Sequence, residues 1–161
     1  MESWIVKPYT AGVELADVLA TNKALVKVAK LYRSAQADVL SGLALHPGQD
    51  VLLWMLGQEP DGVTVSEIAA RLGVEQPTAT RSLSRLEQGG WFVRQPVPGD
   101  RRATRIRLTD KGRAVVPEIE AAWRTLAETA TAGMANDQQA ILIELLEKVR
   151  GNLLALATET E

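Results

Sequence analysis

Leu15, Val18, Leu25, Val28, Leu31, Tyr32, Ala35 and Val39 recur at helical spacing and predict one long helix from Leu15 to Leu40. The stretch SGLALHPGQ breaks it, and His46-Pro47-Gly48 precedes a short, strongly apolar helix from about Gln49 to Gln58, closed by the turn EPDG. A third helix opens with Thr64 and Glu67 in capping-box spacing, with Val63 and Ile68 placed as a hydrophobic staple, and ends at Gly73. The fourth, EQPTATRSLSRLEQ, carries Pro77 in its first turn, where a missing N–H costs little. Ala79, Leu83 and Leu86 form a narrow apolar stripe on it, while Thr78, Thr80, Arg81, Ser82 and Arg85 occupy the remainder. Glu87 to Gly90 stops this helix.

WFVRQ then reads as a strand and ATRIRLT as its partner across a Pro-Val-Pro-Gly-Asp turn. Alternation places Ile106 and Leu108 on one face and Arg105 and Arg107 on the other, a half-buried two-stranded hairpin with a basic outer face. Two helices complete the pattern, from about Asp110 to Ala132, kinked at Pro117, and from about Asp137 to Thr158. The last is apolar over a broad arc (Ile141, Leu142, Leu145, Leu146, Val149, Leu153, Leu154 and Leu156), more than the surface helix of a small domain requires. Such a face wants a partner, and a second subunit is favoured over the first helix of the same chain.

The expected fold is therefore mainly α with a small two-stranded β-wing. Residues 1–45 are expected to form an arm and a long helix, 46–112 the central lobe, and 113–161 the two C-terminal helices.

Charge sharpens this division. The chain has 18 basic and 20 acidic residues and a net charge of -2. From Arg71 to Arg113, however, ten basic residues stand against four acidic ones, a local net of +6 that leaves -8 for the remainder. A basic module in an acidic frame attracts polyanions. The absence of cysteine removes disulfides, thiolate metal sites and thiol-based oxidation sensing. Neither a signal peptide nor a spanning segment is predicted, because the longest clean apolar run, VLLWML, is far too short; the expectation is a soluble cytoplasmic protein with no membrane partner.

A helix, a short turn, a second helix with a polar and basic face, and a charged hairpin together make a winged helix-turn-helix. A helix fits the major groove of DNA, and Gln76, Pro77, Thr78, Thr80, Arg81, Ser82 and Arg85 are placed to reach phosphates or base edges from it. The wing residues Asp100, Arg101, Arg102, Arg105 and Arg107 suit phosphates and the minor groove, with Asp100 bracing Arg102. Double-stranded DNA is the predicted partner. No nucleophile elbow, Walker loop, dinucleotide fingerprint or HExxH motif is present, so an enzyme is disfavoured and no cofactor or metal is expected. The competing reading is a winged helix used for protein assembly or RNA binding.

The span Thr64 to Gly112 resembles the MarR (multiple antibiotic resistance regulator) family of transcription factors. Pro77-Thr78-x-Thr80-Arg81, Gly90-Trp91, Asp100-Arg101-Arg102 and Leu108-Thr109-x-Lys111-Gly112 fall in family order. The resemblance implies a homodimer whose terminal segments on both sides of the lobe, 1–45 and 113–161, supply dimerisation helices that interlock and present two winged helices to a pseudo-palindromic operator, most commonly as a repressor. It also implies a small-molecule pocket, in many members for aromatic or phenolic acids, between the dimer helices and the DNA-binding lobe. Candidates for that pocket are Tyr32, His46, Trp54, Met55 and Trp123. Glu75 departs from the family, which often has a small capping residue there, and the lack of cysteine excludes the peroxide-sensing branch.

Overall fold

In the computed structural model, residues 14–97 and 100–158 are described, with side chains for 14–96 and 104–156. The predicted periodicities become α1 (Leu15–Ser41), α2 (Gln49–Gly57), α3 (Val65–Leu72), α4 (Gln76–Gln88), α5 (Asp110–Ala130) and α6 (Asn136–Thr158). The strands are β1 (Val63–Thr64), β2 (Phe92–Val97) and β3 (Asp100–Leu108). The boundary between two compact units falls after Trp123, within α5. Among the described residues, no helix is long and apolar enough to cross a membrane.

In the first unit, one core gathers Leu40 and Leu45 with the α2 leucines Leu52, Leu53 and Leu56, Ile68 of α3, Ala79, Leu83 and Leu86 of α4, Ile106 of β3 and Ile119 of α5. All three residues of the predicted α4 stripe are fully buried, so the opposite face of that helix is left to solvent. By contrast α1 keeps Leu15, Leu19, Val26, Val28 and Leu31 exposed, Leu31 at 69 %. In the second unit, α6 exposes Ile141, Ile143, Leu145 and Leu146 in the same way, by half or more of their surface.

The expected two-stranded wing is present as the antiparallel pair β2–β3, and among the described residues one further strand, β1, joins the other edge of β3 to give the antiparallel order β1-β3-β2. The extra strand pairs Val63 with Ile106 and Thr64 with Arg105. Two residues are too few to show a period of two, so nothing local identifies them as a strand. Their extended conformation comes from the edge that β3 offers and from burial of Val63 in the core.

Candidate nucleic-acid interface

The helix pair is built around two capping devices. Thr64 and Glu67 form the predicted capping box: the Thr64 N–H donates to Glu67 Oε2 at 2.7 Å, and the Glu67 N–H to Thr64 Oγ1 at 3.3 Å. The Thr64 N–H, then the Thr64 hydroxyl, hold the Glu67 carboxyl below the usual carboxylate range, and the positive charges of Arg105 and Arg71 act in the same direction. At the other end of α3, Gly73 adopts the left-handed conformation (φ 63°, ψ 35°), and the Val74 N–H returns to Ala69 O at 3.0 Å. This turn ends α3 and leads into α4.

Glu75 provides no side-chain cap for α4. Instead Gln76 Nε2 donates to Ser66 Oγ at 2.8 Å, tying the first turn of α4 to the first turn of α3. Thr80 and Ser84 donate back to the carbonyls of Gln76 and Thr80, which holds their hydroxyls close to the helix. The predicted face of Gln76, Pro77, Thr78, Thr80, Arg81, Ser82 and Arg85 is exposed along its whole length.

The disposition of the basic side chains is more selective than their count. Arg71 pairs with Glu59 at 2.7 Å, and Arg94 reaches both Glu87 carboxylate oxygens at 3.1 Å. Arg113 pairs with Asp110 and donates to Leu108 O at 2.7 Å. Lys111 donates to Gly89 O at 2.7 Å and lies 3.9 Å from the centroid of the Trp91 ring. Arg105 donates to Gly62 O at 2.8 Å, and Arg107 to Pro60 O at 3.0 Å. Arg81 and Arg85, both on the exposed face of α4, make no ion pair or hydrogen bond among the described residues. The backbone of Asp100 to Arg102 belongs to β3, but their side chains lie outside the described residues, and so does the expected Asp100–Arg102 brace.

The closing Leu108-Thr109-x-Lys111-Gly112 motif is a clasp. Thr109 Oγ1 donates to Gly90 O at 2.8 Å and accepts from the Gly112 N–H at 3.1 Å, while the Thr109 N–H donates to Trp91 O at 3.0 Å. With Lys111 on Gly89 O, the start of α5 holds three consecutive residues that follow α4. A Cβ at Gly112 would collide with the Trp91 carbonyl oxygen.

The five ligand-pocket candidates do not share one environment. His46 lines a cavity of about 180 Å³ with Pro47, Gly48, Leu52 and, from α4, Ser82 and Arg85. Tyr32 is exposed on α1, and Met55 packs half-buried against the core. Trp54 and Trp123 meet each other with ring centroids 5.7 Å apart, and both indole N–H groups are occupied, by Glu120 Oε1 at 2.9 Å and Asp50 Oδ2 at 2.8 Å respectively. Sequence reasoning missed Asp50 altogether. It is fully buried at the start of α2, accepting also from Gln36 Nε2 of α1 at 3.2 Å and the Gly48 N–H at 2.8 Å. The only available signal was an acidic residue beginning an otherwise apolar run.

Residues 50–103 match the MarR family. The crystal structure of the transcriptional regulator SlyA is similar at a TM-score of 0.71 and 26% identity, over 83% of this chain and 93% of that one. A cysteine-to-serine mutant of MarR from E. coli, complexed with operator DNA, is similar at 0.72 and 26%, over 85% and 99% of the two chains. The S. aureus MepR–DNA complex, at 0.73 and 20% identity over 81% and 96%, shares the fold.

Proposed function

Because this chain is a MarR-type winged-helix protein, we propose that it is a DNA-binding transcriptional regulator that recognises a pseudo-palindromic operator as a homodimer. The observation that carries this reading is the state of α4: its apolar stripe is buried, its polar face is open, and Arg81 and Arg85 on that face have no ion pair or hydrogen bond among the described residues. An unpaired guanidinium can fork onto guanine O6 and N7 or onto a phosphate. Arg101 and Arg102 would follow the backbone from the wing. The similarity to proteins solved with DNA supports the same partner.

A second copy of the chain would cover the exposed apolar side chains of α1 and α6. Two recognition helices about 34 to 36 Å apart then meet successive major grooves on one face of B-DNA. Repression is the proposed mode, relieved by a small aromatic or phenolic acid. The cavity beside His46 suits such an acid, because Arg85 and Ser82 offer donors to a carboxylate and belong to the helix that would meet DNA. A ligand seated there would compete with DNA for Arg85, giving it the differential affinity that release requires.

Selection of duplexes from a random pool by the purified chain, with and without a panel of aromatic acids, tests the reading. Enrichment of an inverted repeat that the acid abolishes is expected. Enrichment of nothing would favour a winged helix used for assembly or RNA.

A further inference from the structure

The geometry points to Arg105 and Arg107 as positioning residues for DNA recognition: they clamp the root of the wing onto the turn ahead of α3. This rests on the DNA-binding reading above. Their charge belongs to the basic module, yet their hydrogen bonds are turned inward. Period-2 alternation puts both on one face of β3, and the 60–62 turn crosses that face before entering β1. Arg105 Nη1 donates to Gly62 O at 2.8 Å, Arg107 Nε to Pro60 O at 3.0 Å, and Arg107 Nη1 to Gln95 Oε1 of β2 at 3.4 Å. One strand therefore ties together the turn and the other long strand of the wing.

The turn is shaped to receive them. Gly62 is buried with φ 77°, and a Cβ there would strike Arg107 Cγ and lie 2.7 Å from Ile106 O, so only glycine allows this approach. Arg71 of α3 holds the same turn through Glu59. Two residues beyond Gly62 stands Thr64, the N-cap of α3. The clamp thus fixes the wing relative to the start of α3, and Gln76–Ser66 passes that placement to the first turn of α4. Recognition by two elements at once depends on the spacing between them.

The experiment uses the full chain with Arg105→Gln, Arg107→Gln and Arg105→Lys, on the duplex enriched by the wild-type protein and on a random duplex. Affinity is measured across a KCl series, and hydrogen exchange is followed over residues 60–67. The glutamine variants should bind the selected duplex roughly three- to tenfold more weakly at every salt concentration, as loss of a partly exposed charged hydrogen bond implies. Random-duplex affinity and the salt slope should change little, exchange in 60–67 should quicken, and Arg105→Lys should resemble Arg105→Gln, because the lysine nitrogen ends one atom short of the Nη1 that meets Gly62 O. Arg105→Lys also carries the test should a glutamine variant fail to fold.

A slope flatter by about 0.9 for each residue changed, with equal losses on both duplexes, would instead place these guanidiniums on phosphates. Unchanged exchange, or full recovery with lysine, likewise overturns the clamp. Were no duplex enriched by the wild type, the DNA reading would fall, while the exchange comparison would still decide whether the clamp exists.

Discussion

The indole N–H of Trp123 donates to Asp50 Oδ2 at 2.8 Å, joining residues 73 positions apart in the chain. Asp50 is fully buried and faces three donors, the other two being Gln36 Nε2 and the Gly48 N–H. A buried carboxylate is tolerated only where its lone pairs are met, and each donor loses its partner if the carboxylate goes.

Asp50→Ala is therefore expected to lower the unfolding free energy by about 2 to 4 kcal/mol, and Trp123→Phe by about 1 to 3. Urea denaturation monitored by circular dichroism measures both. The double variant should lose less than the sum of the two, since the residues share one hydrogen bond. Additive losses would mean that this contact contributes nothing.

Gly112→Ala would drive a methyl group into the Trp91 carbonyl oxygen, where a backbone atom has little room to retreat. The cost is expected to be about 1 to 3 kcal/mol, as for other overpacking changes. Because the methyl group would press on the Trp91 backbone itself, the fluorescence of Trp91 should shift as well. A thermal midpoint within about a degree of wild type would contradict the clasp.

Thr64→Ala removes the capping-box acceptor and should cost about 1 kcal/mol at neutral pH. The Glu67 carboxyl is lowered in the folded state, so the stability it contributes is fully present above its unfolded value of about 4.3 and is lost as pH falls through the lower folded value. The difference between wild type and Glu67→Gln should accordingly shrink in acid. A gap that widens below about pH 4 would have the wrong sign.

On the selected duplex, Arg81→Ala and Arg85→Ala separate base reading from phosphate contact. A guanidinium that reads a base loses preference at one defined position, at about 1 to 3 kcal/mol, whereas one on a phosphate flattens the salt dependence by about one unit of slope and leaves the preference intact. Reselection with each variant distinguishes these cases. If neither the preference nor the slope moves for both variants, α4 is not the recognition helix.

Much of the architecture was legible because its causes are local. The capping box, the left-handed Gly73 and the Ala79–Leu83–Leu86 stripe each depend on residues within a turn or two of one another, so their spacing in the chain carries the information. The basic module was equally plain as a count. Its internal assignments were not, because the partners lie far along the chain: Arg105 finds a carbonyl 43 residues away, and Arg107 one 47 residues away. Composition cannot distinguish a guanidinium spent on a backbone oxygen from one left open to solvent.

The sequence by itself determined which segments are helical, where α4 buries its stripe and where positive charge gathers. Those properties follow from side-chain periodicity and capping chemistry, which act at short range. Only the tertiary structure decided that β3 has a second neighbour, that Trp54 and Trp123 donate their N–H groups to carboxylates, and that Arg81 and Arg85 find no partner for theirs among the described residues. Strand pairing and buried hydrogen bonds depend on which distant groups arrive together, and no local pattern along the chain records that meeting.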